Sequence, residues 1–277
     1  FLASGDEEGF WVDTRIIVVT SGKGGDGKTT TTANLAVALA RAGKKVLAVD
    51  ADIGLRNLDV VLGLENRIVY SLVDVIEGQC RLQQALVRDK RVETLYLLPA
   101  AQTRTKEAVS SEQMQRLCDS LRGEFDFVFI DSPAGIESGF RNAAVGADSA
   151  LVVTTPEISA VRDADRIIGL LESMEKSDIS LIINRIRPEM VRQADMLDIS
   201  DVVEILAVAL IGIVPDDDAV VISTNKGEPL TLHSSSQAAK AFFNIARRLM
   251  GEKVPFEELE FANKGGFLGK IRKLLRF

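Results

Sequence analysis

The sequence predicts an α/β fold: a single doubly wound, mostly parallel sheet, followed by a C-terminal amphipathic helix. Three observations carry the prediction. Short, nearly continuous apolar runs alternate with longer amphipathic ones, the pattern of parallel strands covered by helices on both faces. A glycine-rich loop follows the first apolar run and precedes the first helical one. The last twelve residues mix cations with aliphatic side chains at helical spacing.

Taken in order, Phe1–Thr14 carries Asp6, Glu7, Glu8 and Asp13 and no Lys or Arg, so it reads as a solvated acidic extension. It lacks the basic and apolar design of a signal peptide. A start at Phe1 fits either a trimmed precursor or a truncated chain. Strands are expected at Arg15–Thr20, Lys45–Asp50, Leu95–Pro99, Phe127–Asp131, Ala150–Thr154, Leu181–Asn184 and Leu210–Val214. Helices are expected at Thr29–Ala42, ending at Gly43, and at Ser110–Leu121, Ser159–Met174, Ile199–Leu206 and Ala238–Met250. Residues 15–250 then form one domain. Residues 251–265, with Pro255 and Glu257-Glu258-Leu259-Glu260, form a tether to a helix over 266–277. Doubly wound sheets bind ligands at the carboxyl ends of their strands. The chemistry should therefore follow Thr20, Val49, Ile130, Thr154, Ile183 and Val214.

With 46% hydrophobic and 26% charged residues, disorder and fibrous classes are excluded. The longest uncharged stretches, such as Thr29–Ala40, fall short of the roughly 20 apolar residues of a spanning helix. Cys80 and Cys118 make neither a disulfide framework nor a C-x-x-C metal pair, so each reads as a simple thiol in a reducing compartment. The net charge of −7 speaks against a DNA-coating protein. His233 is the only histidine and lies in a polar loop run with no second base near it in sequence.

Gly22-Lys23-Gly24-Gly25-Asp26-Gly27-Lys28-Thr29 fits G-x-x-x-x-G-K-[ST] in the required strand-to-helix setting. Glycines let the backbone of Gly24, Gly25, Asp26 and Gly27 turn its N–H groups toward phosphate, and the helix start at Lys28, Thr29 and Thr30 adds its positive end. Lys28 should reach the β- and γ-phosphates, and the Thr29 hydroxyl should meet Mg²⁺. Lys23 is a second cation that an ordinary phosphate loop does not need. It suits a dimer in which each subunit reaches the other's nucleotide.

The run S-G-K-G-G-x-G-K-T-T resembles the deviant-Walker (ParA/MinD) P-loop ATPases. Asp50-Ala51-Asp52-Ile53-Gly54-Leu55-Arg56-Asn57-Leu58-Asp59 and Asp131-Ser132-Pro133-Ala134-Gly135-Ile136-Glu137 are similar to the MinD branch. So are Thr155-Pro156-Glu157, Val161-Arg162-Asp163-Ala164-Asp165-Arg166 and Gly212-Ile213-Val214-Pro215-Asp216-Asp217. Leu98-Pro99-Ala100-Ala101-Gln102 and Ile222 to Pro229 resemble its cyanobacterial and chloroplast forms. The resemblance implies ATP and Mg²⁺ as cofactors. It makes Asp52 the residue that orients the attacking water and places Asp50 and Asp131 in the Mg²⁺ shell. Lys23 becomes the signature lysine that crosses a dimer interface to the γ-phosphoryl group. Asn184 would contact adenine, with Pro215 and Asp216 as the other wall of that pocket. Asp26 departs from the family, which commonly has Val there; a carboxylate beneath the loop would repel phosphate and lose its own hydration.

On a helical wheel Phe267, Leu268, Ile271, Leu274 and Leu275 share an arc of about 120°, with Lys270, Arg272, Lys273 and Arg276 opposite. This reads as an interfacial membrane anchor that meets anionic lipid. The expected function is a slow, partner-stimulated ATPase that dimerises on ATP, cycles on a membrane and places a cell or plastid division site. The resemblance also implies a MinE-like activator and a MinC-like inhibitor, with no nucleic acid. The location would be the chloroplast stroma at the inner envelope, or a cyanobacterial cytoplasm at the inner membrane. Two alternatives stand beside it: a ParA-like DNA-partitioning ATPase, and a nucleotide-binding module whose turnover Asp26 impairs. An iron–sulfur carrier would need paired cysteines, which the chain lacks.

Overall fold

Five β-branched residues in succession, Ile16 to Thr20, make the central strand β1 (Arg15–Thr20). The computed structural model describes residues 13–104 and 108–256. After β1 come α1 (Lys28–Arg41), β2 (Val46–Asp50), α2 (Leu58–Leu62), α3 (Leu72–Ile76), α4 (Leu82–Ala85), β3 (Val87–Arg88) and β4 (Leu95–Leu98). The chain continues through α5 (Ser111–Leu121), β5 (Phe127–Asp131), α6 (Ser138–Ala144), β6 (Ser149–Thr154) and α7 (Ile158–Ser173). It closes with β7 (Ile179–Ile186), α8 (Pro188–Arg192), α9 (Ile199–Leu206), β8 (Ala209–Pro215), α10 (Asp218–Asn225) and α11 (Gln237–Leu249).

The strands form one eight-stranded sheet in the order β3-β4-β2-β5-β1-β6-β7-β8. All neighbours pair parallel except β3 with β4. Strand residues alternate between two cores. Ile16, Val18, Val128 and Ile130 pack with Phe140, Ile167 and Leu171 on one face. Ile17, Val19 and Phe129 pack with Leu35, Leu39 and Phe242 on the other. Burial on both faces is why these strands read as unbroken apolar runs. β1 sits between β5 and β6, where the winding direction reverses. That places the crevice of a doubly wound sheet at the loop following Thr20.

Every expected strand is present. β7 runs longer than expected, from Ile179 to Ile186, so Asn184 lies inside it rather than after it; its pairing with β8 is irregular between Ile183 and Ile186. Pro215 likewise ends β8 instead of following it. The two-residue antiparallel strand β3 and the short helices α2, α3, α4 and α8 had no periodic signal, because four or five residues do not complete two turns.

Candidate functional site

The loop between β1 and α1 is fixed from both sides. Ser21 Oγ donates to the Lys23 carbonyl at 2.8 Å. A Cβ on Gly22 would lie 2.5 Å from the Asp163 backbone in α7, so only glycine lets the loop start there. Gly27 has φ +97°, and the Asn184 amide nitrogen lies against it while donating to the Asp26 carbonyl at 2.8 Å. No side chain caps the N-terminus of α1. The first N–H groups of the helix thus remain open to an anion.

Three carboxylates stand at the carboxyl ends of adjacent strands. Asp50 and Asp131 are register partners on β2 and β5. Asp50 accepts from the backbone N–H of Asp52 at 3.0 Å and of Asn57 and Leu58 at 3.1 Å each, so it also folds the segment between β2 and α2. Burial pushes the Asp50 carboxyl above the usual carboxylate range, and the charge of Asp131 adds to the rise. Burial raises Asp131 as well, against the opposing charge of Lys28 and the hydroxyls of Thr29 and Thr32. Lys28 Nζ lies 3.9 Å from Asp52 Oδ2, and both side chains are nearly out of water. Asp52 Oδ1 and Asp131 Oδ1 are buried without a hydrogen-bond partner.

These orphaned oxygens test the expected cofactor. Two or three carboxylates and a threonine hydroxyl are hard oxygen donors. Among the described residues no cluster of three or more His, Cys, Asp or Glu forms a complete metal cage. A partial oxygen set suits Mg²⁺, which keeps several waters and takes its remaining ligands from phosphate.

The other expected residues fall around this centre. Lys23 Nζ meets Glu157 Oε2 at 3.2 Å and Ser159 Oγ at 3.4 Å at the entry to α7. Asp216 takes the Arg187 guanidinium at 2.6 Å, and its N–H donates to the Ile186 carbonyl at 3.0 Å. Asn184 has its side-chain amide nitrogen committed to the loop. Asp26 is 1% exposed, and its Oδ2 has no partner. Phe267, Leu268, Ile271, Leu274 and Leu275 lie outside the described residues, as do residues 1–12. Among the described residues no helix is long and apolar enough to cross a membrane. The described part of the segment expected as a tether is held on the body: Arg248 donates to the carbonyls of Ile211, Val254 and Pro255, and its guanidinium stacks on Phe256 at 4.1 Å.

Sequence reasoning gave no role to Glu157, Ser159, Thr32 or Arg185. Glu157 was findable: it follows β6 at the ligand edge of the sheet, where Lys23 needs a counter-ion. Arg185 was not, because its reach toward the loop depends on the irregular end of β7, where its φ is +56°.

Residues 17–230 match the CobQ/CobB/MinD/ParA nucleotide binding domain. The chain belongs to this MinD/ParA family. It is 58% identical over 262 residues to the septum site-determining protein MinD of Synechocystis, covering 94% of this chain and 98% of that one. It is 53% identical to a putative septum site-determining protein MinD of Chlorella vulgaris, covering 91% and 90%. Two solved MinD structures share the fold. One is the MinC:MinD cell division complex of Aquifex aeolicus, with TM-score 0.81, 51% identity and 88% and 99% of the two chains covered. The other is the MinD of Pyrococcus horikoshii complexed with Mg-ADP, with TM-score 0.77, 33% identity and 87% and 100% covered. The sheet is therefore that of a MinD/ParA P-loop ATPase.

Proposed function

We propose that this chain is a MinD-type, division-site-determining ATPase that binds ATP with Mg²⁺, pairs with a second copy and cycles on a membrane. The observation that carries the reading is the gathering of Lys28, Asp50, Asp52 and Asp131 at one sheet edge beside an uncapped helix start. Similarity to septum-determining proteins across nearly the whole chain supports it.

Each side chain then has a task. Without nucleotide, Lys28 is held by Asp52. Phosphate draws the ammonium away, and the Asp52 carboxylate becomes free to hold and orient water. Thr29, Asp50 and Asp131 would hold Mg²⁺, and its chemistry there would be to offset charge on the transferring phosphoryl group. Lys23 leaves Glu157 and reaches the phosphates of a second copy. That exchange costs little, since an exposed ion pair contributes about 1 kcal/mol or less. Asn184, Pro215 and Asp216 flank the adenine.

One helix over 266–277 binds membrane weakly, and a dimer presents two, so ATP controls recruitment through effective concentration. Slow turnover follows if a partner must complete the site. The solved MinC:MinD complex supports a MinC-type partner for this chain, and a MinE-type activator completes the cycle. Cyanobacterial and algal relatives support a plastid or cyanobacterial setting, at the inner envelope or inner membrane. The DNA-partitioning reading is less supported, because the relatives matched along nearly the whole chain are septum-site proteins.

Phosphate release and sedimentation test the reading. Lys28→Ala should bind Mg-ATP at least tenfold more weakly and fail to dimerise. A mutant that dimerises normally with ATP contradicts the site.

A further inference from the structure

The buried charge inside the phosphate loop has no part in the chemistry above. Asp26 lies between Gly25 and Gly27, 1% exposed, with Oδ2 facing no donor. Asn184 of β7 pins its backbone carbonyl, so the stretch of loop that carries the carboxyl is held in place. Three charged groups face it from the surrounding elements: Lys23 on the same loop, Glu157 at the entry to α7, and Arg185 at the end of β7. Lys23 is itself engaged by Glu157, so its charge is shared.

We infer that nucleotide binding at this loop is coupled to uptake of one proton by the Asp26 carboxyl, so that affinity falls as pH rises. The inference rests on the nucleotide site described above. The backbone that would cradle a polyphosphate is the backbone that carries this carboxylate. Bringing several negative charges to it penalises the ionised form and favours the neutral one. Before any ligand arrives, burial already holds the carboxyl at about 6, with Lys23, its backbone N–H and Arg185 opposing and Glu157 adding. Phosphate moves it further the same way. Near neutral pH the free protein is then mostly ionised at Asp26 and the loaded protein mostly neutral. By linkage, the ligand must bring a proton with it.

Calorimetry with Mg-ADP at pH 7 tests this. Buffers of different ionisation enthalpy are used, on wild type, Asp26→Asn and Asp26→Val. The nucleotide's own proton release is common to all three, so differences belong to the protein. Wild type should take up about 0.5–1 proton more than either variant. Its affinity relative to Asp26→Asn should fall roughly tenfold between pH 6 and pH 8. Equal proton counts and parallel pH curves overturn the inference while leaving the nucleotide site intact. Absence of Mg-ADP binding by all three proteins at every pH overturns the site and the inference together. Circular dichroism checks that each variant is folded, and agreement between two differently shaped neutral side chains separates charge from packing.

Discussion

Lys28 and Asp52 sit 3.9 Å apart with little access to water, so each offsets the charge of the other. Removing the carboxylate frees Lys28 from that ion pair while Asp131 still faces its charge. Asp52→Ala should therefore keep or tighten Mg-ATP binding, lose about a hundredfold or more in turnover, and accumulate dimer. Phosphate release beside sedimentation reads both effects, and wild-type turnover contradicts the role. Asp26 acts on folding as well as on binding. Its carboxyl stands at about 6 in the folded chain against 3.8 ordinarily. Between those values the folded chain holds a proton that the unfolded chain releases, so stability declines as pH rises through this window. Above it the cost is complete. Asp26→Asn should then gain on the order of 1–3 kcal/mol at pH 8 and clearly less at pH 5, read by urea unfolding at both. Equal gains at the two pH values contradict this. At this scale Lys28, Thr29 and the strand-end aspartates were legible because phosphate chemistry restricts residue type and spacing. The clamp on Asp26 was not, since Asn184 comes from β7, more than 130 residues away.

The phosphate loop is an element shaped by its neighbours. β1 delivers it, α7 blocks any side chain at Gly22, and β7 clamps it through Asn184. Gly22→Ala would press a methyl group on the Asp163 backbone. It should shift α7 or the loop at a cost of about 1–3 kcal/mol, and weaken nucleotide binding more than a surface change in α7 such as Glu172→Ala. Thermal melts with and without Mg-ADP separate the two effects, and unchanged binding means the loop tolerates the shift. The long helices and all strands but β3 could be read from the sequence, because one buried face gives a helix its period and two buried faces give a strand an unbroken apolar run. The segment between β2 and α2 could not. Its course depends on the Asp50 carboxylate collecting backbone N–H groups from Asp52, Asn57 and Leu58, a local side-chain-to-backbone arrangement with no periodic trace.

At the scale of the whole molecule, the proposed ATPase cycle joins a site built around Lys28 to the anchor proposed over 266–277. Arg248 holds residues 254–256 on the body, through Val254, Pro255 and Phe256. Gly266–Phe277 lies beyond the last core helix α11 in sequence, so fold, nucleotide binding and dimerisation should persist when it is deleted. Recruitment to anionic vesicles should disappear. In the full-length chain recruitment should weaken with salt, because the helix cations are screened. The most direct measurement is sedimentation with anionic vesicles, with and without Mg-ATP, of wild type, Lys28→Ala and the 266–277 deletion. The account predicts ATP-dependent pelleting for wild type and none above background for the two variants. Equal pelleting of wild type with and without ATP, or ATP-dependent pelleting of the truncated chain, would contradict it.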